Sequence, residues 1–278
     1  MRQRTVLAVV VLLTCCTVCH AWGPDGHLII AGIAESYLTP KTKAAVSDVL
    51  DGQSLRDVAT WADRVRKQPE YAWSDSKHGV TIRGDADSVD LKRDCPDGCA
   101  VSAIVSLTDT LKRNNGSRKE REEALKFLVH FVSDLHQPIH VVSARRSKAA
   151  PENLTFFSKP VKLHTVWDGL MIVHAEKPWE KYARELRNQI DPDEFAKWSA
   201  VMDPVVWANE SHDLLERYAY DLPADGRIGQ AYCDRCLPVL NEQMSIAGVR
   251  LATQLNAIFD PKPSTRPTTT SAPATAAH

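Results

Sequence analysis

Apolar residues recur at three- and four-residue intervals along most of this chain, and sustained period-two alternation is hard to find. Leu28, Ile29, Ile33 and Ala34 form one stripe, and Ala124, Leu125, Leu128, Val129 and Val132 form another. Similar spacing predicts helices around 40–50, 53–67, 100–114, 163–174, 179–190, 200–220 and 238–258. Such a chain buries one face of each helix against its neighbours, so the expected fold class is all-α. The main interruption is the polar stretch 78–98, where Gly84, Asp85, Pro96 and Gly98 predict a long loop or short hairpin. With no internal repeat and no Gly/Ser linker, residues 22–260 are expected to form one domain.

The two ends read differently. Arg2 and Arg4 precede an apolar run from Val6 to Val18, and Cys19 and Ala21 offer small residues at −3 and −1 of a cut before Trp22. Residues 1–21 therefore read as a secretory signal peptide, because the run falls short of the ~20 residues needed to span a bilayer. A secreted protein without stable membrane association is expected. From Pro261 onward the chain is dominated by Pro, Thr, Ser and Ala, so 261–278 reads as a disordered tail. Three of the seven Cys lie in the leader, which leaves Cys95, Cys99, Cys233 and Cys236. Two disulfides are expected in an oxidising compartment, with the local pairs 95–99 and 233–236 the simplest connectivity. Crossed pairing and a four-thiolate zinc site remain alternatives. Sequons at Asn115, Asn153 and Asn209 fit the same compartment.

Composition limits the partners. The chain is 44% apolar and 25% charged with a formal net charge of −1, which suits a soluble globular protein and excludes a carpet of basic residues for duplex DNA. The chemistry concentrates in Phe127 to His140, FLVHFVSDLHQPIH. His130 and Asp134 are four apart, so a helix projects both from one face. Asp134 stands among Phe131, Val132 and Leu135, where an unpaired carboxylate is costly to bury and a metal ion resolves the cost. Pro138 interrupts the helix and lets His140 leave the helical direction. His164 and Asp168 repeat the four-residue spacing. One such pair usually means a surface hydrogen bond or ion pair; two of them with His140 point to zinc, which takes imidazole and carboxylate donors. Cleavage before Trp22 would add a free amine and a carbonyl beside His27, while Asp63 next to Trp61 and His78 at the loop's start are weaker signals alone.

Together, Trp22, Gly26-His27, Trp61-Ala62-Asp63, His78, Phe127 to His130 with Asp134, Gln137 to His140, and His164 with Trp167-Asp168 resemble the zinc-dependent, single-strand-specific nucleases, also called class I nucleases. The likeness runs from Trp22 to about Phe259. It implies three zinc ions at the bottom of a cleft in a helical fold. By that resemblance Asp63, His78, His130 and Asp134 hold one ion; Trp22 (amine and carbonyl), His27 and a bridging Asp134 hold its close neighbour; His140, His164 and Asp168 hold the third. The implied reaction is in-line attack on phosphorus by a water whose pKa metal coordination lowers toward ~7, with 5′-phosphate products. Asp63 would also orient the nucleophile, and Arg66 matches a family arginine near the phosphate. The implied substrates are single-stranded RNA or DNA and 3′-nucleotides, handled by a monomer.

The sequence departs from the family pattern beside the site. Gly79 and Thr81 stand where many relatives carry a base-stacking aromatic and a base-reading aspartate, and Val141 to Pro151 lacks Gly but contains Arg145, Arg146 and Lys148. Stacking contributes about 1–3 kcal/mol per base, so its loss would weaken or broaden base preference. Two alternatives follow: a zinc-dependent phospholipase C, which shares the trinuclear arrangement, and a catalytically weakened secreted zinc-binding or interaction protein. His136 reads as a surface residue or a neighbour of the metal shell. Trp73, Trp179, Trp198 and Trp207 read as core or helix contacts.

Overall fold

The computed structural model describes residues 22–146, 151 and 153–261. The expected leader, Lys148 and the tail beyond residue 261 lie outside the described residues. Among these, no helix is long and apolar enough to cross a membrane. The fold is all-α, as the periodicity requires. Its main helices are α1 (Pro24–Ser36), α2 (Trp61–Val65), α3 (Ala100–Arg113), α4 (Arg118–Leu135), α5 (Trp179–Gln189), α6 (Pro204–Leu214) and α7 (Gln230–Phe259).

α1 explains how the bundle closes. Ala31 and Ala34 enter one apolar cluster with Leu125, Leu128 and Leu251, while Ile29, Ile30 and Ile33 enter a second with Trp167, Met171 and Leu240. Each fully buried Ile contributes roughly 1.5–3 kcal/mol. α1 packs along α7, and the crossing needs Gly248: a Cβ there would lie 2.5 Å from Ile33 Cγ2. α3 and α4 pack along one another through a tight connection. Asn114 closes α3 in the left-handed region, and the Ser117–Glu120 capping box opens α4. The first turns of α4 are mostly exposed and charged, whereas Leu128 to Leu135 is buried without interruption. The last turns of α4 thus carry His130 and Asp134 into the interior.

Residues 78–98 form no hairpin. Instead β1 (Val80–Ile82) pairs in parallel with β2 (Val141–Ser143), with Val80 opposite Val141. β2 is the strand that the chain enters after the 3-10 turn Pro138–His140, so the proline break supplies the partner. This pairing fixes His78 and His140 on adjacent chains. Other expectations shift at prolines and caps. The 53–67 region splits into Leu55–Val58 and α2; 200–220 breaks at Asp203, which caps α6 ahead of Pro204; and α7 begins at Gln230 rather than 238. The helix Pro192–Ala200, capped by Asp191, has no counterpart among the sequence-based expectations.

Cys95 and Cys99 are bridged. Cys233 and Cys236 are not: both thiols are buried one turn apart on α7, and Cys236 Sγ points at the Tyr218 carbonyl. Burial pushes the Cys233 thiol up to about 11 and raises Cys236 as well, so both stay protonated and unreactive as thiols. Asn115 and Asn153 are exposed, whereas the Asn209 carboxamide accepts a hydrogen bond from Val89 N–H at 2.8 Å.

Candidate metal centre

Seven local structures deliver the donors. His27 lies in the first turns of α1, Asp63 in α2, and His78 directly after the 3-10 helix Pro69–Lys77. The last turns of α4 supply His130 and Asp134, and the turn that Pro138 opens supplies His140. His164 sits in the short helix Leu163–Thr165, and Asp168 in the π-helical turn Val166–Leu170 that follows. Such π turns frequently mark functional sites.

These side chains converge. Asp134 Oδ2 lies 2.9 Å from His78 Nδ1 and 3.2 Å from His130 Nε2, and its Oδ1 lies 3.4 Å from His27 Nε2. Asp63 Oδ1 stands 3.7 Å from His130 Nε2 and 3.9 Å from His78 Nδ1. On the other side, His164 Nε2 is 3.1 Å from both Asp168 Oδ2 and His140 Nε2. Among the described residues, three groups of donors lie close enough to hold an ion each: His27, Asp63 and His130; His78, His130 and Asp134; and His140, His164 and Asp168. The first two share His130, so they form one continuous pocket with Asp134 facing all three of its imidazoles.

The donors fit divalent cations on three grounds. Buried polar atoms are left without hydrogen-bond partners at His27 (both ring nitrogens), His78 Nε2, Asp63 Oδ1, Asp134 Oδ1 and Asp168 Oδ1. Orphaned groups of this kind are costly, and a cation satisfies them together. Second, the outward ring nitrogens are already committed. His130 Nδ1 donates to the Ala59 carbonyl at 2.8 Å and His140 Nδ1 to the His78 carbonyl at 2.7 Å, which turns each Nε2 toward the cluster. Third, the charge states of His27, His78 and Asp134 suit ligation. Burial holds His27 well below its ordinary value and lowers His78, so both are neutral donors at neutral pH. Burial opposes charge on Asp134 too, yet His130 and the hydrogen bonds from His130 and His78 keep its carboxyl ionised. Burial likewise works against His130, but Asp134 and Asp63 outweigh it and hold the imidazole up to about 9.

Trp22 is fully buried beside this pocket. Its indole donates to the Ser133 carbonyl at 2.8 Å, and Gly23 N–H donates to the Asp168 carbonyl at 2.6 Å. Trp22 and Gly23 are thereby pinned between α4 and the Asp168 turn.

A cleft of about 490 Å³ opens onto His78, His140 and His164. Arg66 and Arg83 line it, with Thr81 and Gly79. Arg66 reaches toward Asp63 at 3.5 Å and Asp75 at 3.6 Å. Arg83 is anchored through its backbone N–H, which donates to the buried Asp94 at 2.9 Å. Gly79 is a steric necessity: a Cβ there would lie 2.4 Å from the His140 carbonyl oxygen.

A sequence profile of the S1/P1 nucleases matches residues 22–260. The chain belongs to that family. Endonuclease 4 of Arabidopsis thaliana is 30% identical, with 87% of this chain and 90% of the relative covered. Nuclease P1 of Penicillium citrinum is 28% identical (85% and 97% covered), and nuclease S1 of Aspergillus oryzae is 29% identical (86% and 92% covered). Family membership and the three donor clusters agree on a zinc-dependent phosphodiesterase of the class I nuclease type.

Several readings change with the structure in hand. His136 is not a surface residue; it is fully buried, donates from Nδ1 to the Val132 carbonyl and accepts from Arg250 at 3.1 Å. Arg145 and Arg146 pair with Asp87 and Glu216, so neither stands as a free phosphate ligand. Sequence reasoning missed Arg83, whose only signal is its place two residues past Thr81; of the core or helix contact it expected of Trp73, the contact with Phe127 on α4 is present, but the residue is 48% exposed.

Proposed function

We propose that the processed chain cleaves single-stranded RNA and DNA to products carrying 5′-phosphates, that it also hydrolyses 3′-nucleotides, and that it acts after export and removal of residues 1–21. Zinc-dependent nuclease activity on single-stranded nucleic acid follows from family membership. The observation that carries the finer reading is the set of orphaned nitrogen and oxygen atoms aimed into one buried pocket at the end of a cleft.

In this reading Asp63, His78, His130 and Asp134 hold one zinc, His27 with the amine and carbonyl of Trp22 shares Asp134 for the second, and His140, His164 and Asp168 hold the third. Zinc supplies Lewis-acid charge at the phosphate and acidifies water toward a pKa of ~7. The chain supplies the rest. His130 gives up its proton when the site loads, because only the neutral ring is a ligand. Asp63 orients the attacking water, and Arg66, which reaches from Asp63 to Asp75, offsets charge that develops on the phosphoryl oxygens. The recessed cleft favours strands free to bend inward over duplexes.

The test uses protein beginning at Trp22. About three zincs per chain and cleavage of single-stranded DNA and RNA are expected, both lost on chelation and regained on zinc addition. One extra residue before Trp22 converts the amine to an amide and should reduce zinc content and activity together. Full activity after exhaustive metal removal would refute the proposal.

A further inference from the structure

Trp73 is 48% exposed, while the other six tryptophans are buried or half-buried. A single exposed apolar residue needs no explanation by itself; its surroundings do. Trp73 lies on the 3-10 helix Pro69–Lys77, which runs directly into His78. One side of its ring packs on Phe127 at 4.8 Å between centroids, and Phe127 is one turn before His130 on α4. The ring is thus held by the same two elements that position the donors.

Its other side faces an open hollow shared with Asp75, Ser76, Lys77 and Asp97, and Ser76 and Asp97 also line the cleft that holds Arg66, His78, His140 and His164. The hollow is a continuation of the cleft. The cleft wall carries no Phe, Tyr or Trp, and Gly79 cannot take a side chain without moving His140. A base leaving the reacting position therefore meets its first aromatic surface at Trp73. On this path Asp75 is paired with Lys67 at 2.8 Å and with Arg66 at 3.6 Å. Lys77 donates to the Asp97 main-chain carbonyl, a neutral acceptor that leaves the ammonium charge available to a phosphate. Five residues of 3-10 helix at ~2.0 Å each place Trp73 about 10 Å along the helix from His78, within reach of a strand a few nucleotides long.

We propose that Trp73 is a base-stacking platform for the single strand beyond the reacting phosphate, with Lys77 on the phosphate beside it. The inference rests on the nuclease reading and names where that site holds its substrate. Because every base presents a π face, the contact selects for strand length and unpaired bases, not for sequence.

The test compares zinc-loaded wild type, Trp73→Ala and Trp73→Phe on single-stranded dinucleotides and hexanucleotides. Stacking of the usual strength is worth roughly 5- to 150-fold, so Trp73→Ala should raise the hexanucleotide-to-dinucleotide KM ratio at least fivefold, with the effect on KM rather than kcat. Trp73→Phe keeps the packing on Phe127 and should show a smaller rise. A phosphorothioate hexanucleotide should quench the solvent-exposed, red-shifted tryptophan emission of wild type, and that quenching should vanish in Trp73→Phe. An unchanged KM ratio in both variants, or quenching that survives Trp73→Phe, would overturn the proposal. Wild type that cleaves no strand would instead refute the nuclease reading, and the quenching experiment would still decide whether Trp73 binds one.

Discussion

Gly79→Ala offers a quantitative test of how the cleft wall is built. The added Cβ would start 2.4 Å from the His140 carbonyl oxygen, against an ordinary contact of 3.4 Å or more, so one chain must retreat by about 1 Å. The Gly79 side has little freedom. Its carbonyl accepts from Ala100 N–H at 3.1 Å, and the next residue begins the β1–β2 pairing. Any part of the shift taken by His140 moves its Nε2, which stands 3.1 Å from His164 Nε2 and 3.6 Å from Asp168 Oδ1. Displacing a reacting group by ~1 Å can cost about 100-fold in rate, and overpacking costs about 1–3 kcal/mol of stability. Gly79→Ala should therefore lower kcat/KM on a single-stranded hexanucleotide about 100-fold and deplete one of three zincs, measured by metal analysis on folded protein. Gly84→Ala is the control, since Gly84 has φ +69° and nothing within 4 Å of its Cβ position. It should lower the melting temperature through backbone strain and leave zinc content intact. Wild-type kcat/KM and full zinc in Gly79→Ala would refute the steric argument.

Three further outcomes follow from the same geometry. Asp134→Ala should lose zinc and activity together, and should cost the metal-free protein about 3–5 kcal/mol, because a buried pair loses one partner; thermal melts with metal analysis check both. Arg83→Ala should raise KM for single strands equally for all four bases and flatten the dependence of log KM on log salt by about 0.7; a base-dependent change would contradict phosphate binding. The Asp94 carboxyl is buried, which alone would raise its pKa, but Arg93 and the N–H groups of Arg83 and Asp90 hold it below the ordinary value. Its stabilisation is therefore complete above the unfolded pKa of ~3.9 and fades as pH falls through the lower folded value. Asp94→Asn should be less stable than wild type at pH 7 by chemical denaturation, and the gap should close below about pH 4.

Part of the site was legible from local spacing, while Trp22, His27, Asp63 and His78 were weak signals that only the family resemblance turned into ligands. His130 with Asp134, and His164 with Asp168, share faces by period alone, and Pro138 announces the break that redirects His140. What escaped was contact between distant segments. The parallel pairing of 80–82 with 141–143 is non-local, and three residues carry too little alternation to announce a strand. His136 lies beside a ligand helix, yet its burial depends on Arg250, 114 residues away, and on the Trp207 ring. Trp73 shows the converse. Nothing in the local pattern distinguishes a core tryptophan from one that packs a single side on Phe127 and leaves the other to solvent.

The departures at Gly79 and Thr81 also take on a different meaning once the packing is known. Read along the chain, they suggest a weakened or broadened base pocket and motivate the alternative of a protein that kept its metal cage but lost turnover. In the fold, Gly79 is the residue that lets His140 approach, and every expected side-chain donor remains buried or half-buried around the pocket. The intact donor set fits the zinc-dependent phosphodiesterase that family membership shows. The loss of an aromatic from the cleft wall also leaves two arginines on that wall and an exposed tryptophan beyond its rim. Phosphate contacts position a strand and stacking is indifferent to sequence. The arrangement therefore argues for broad base tolerance, and against a decline in catalysis.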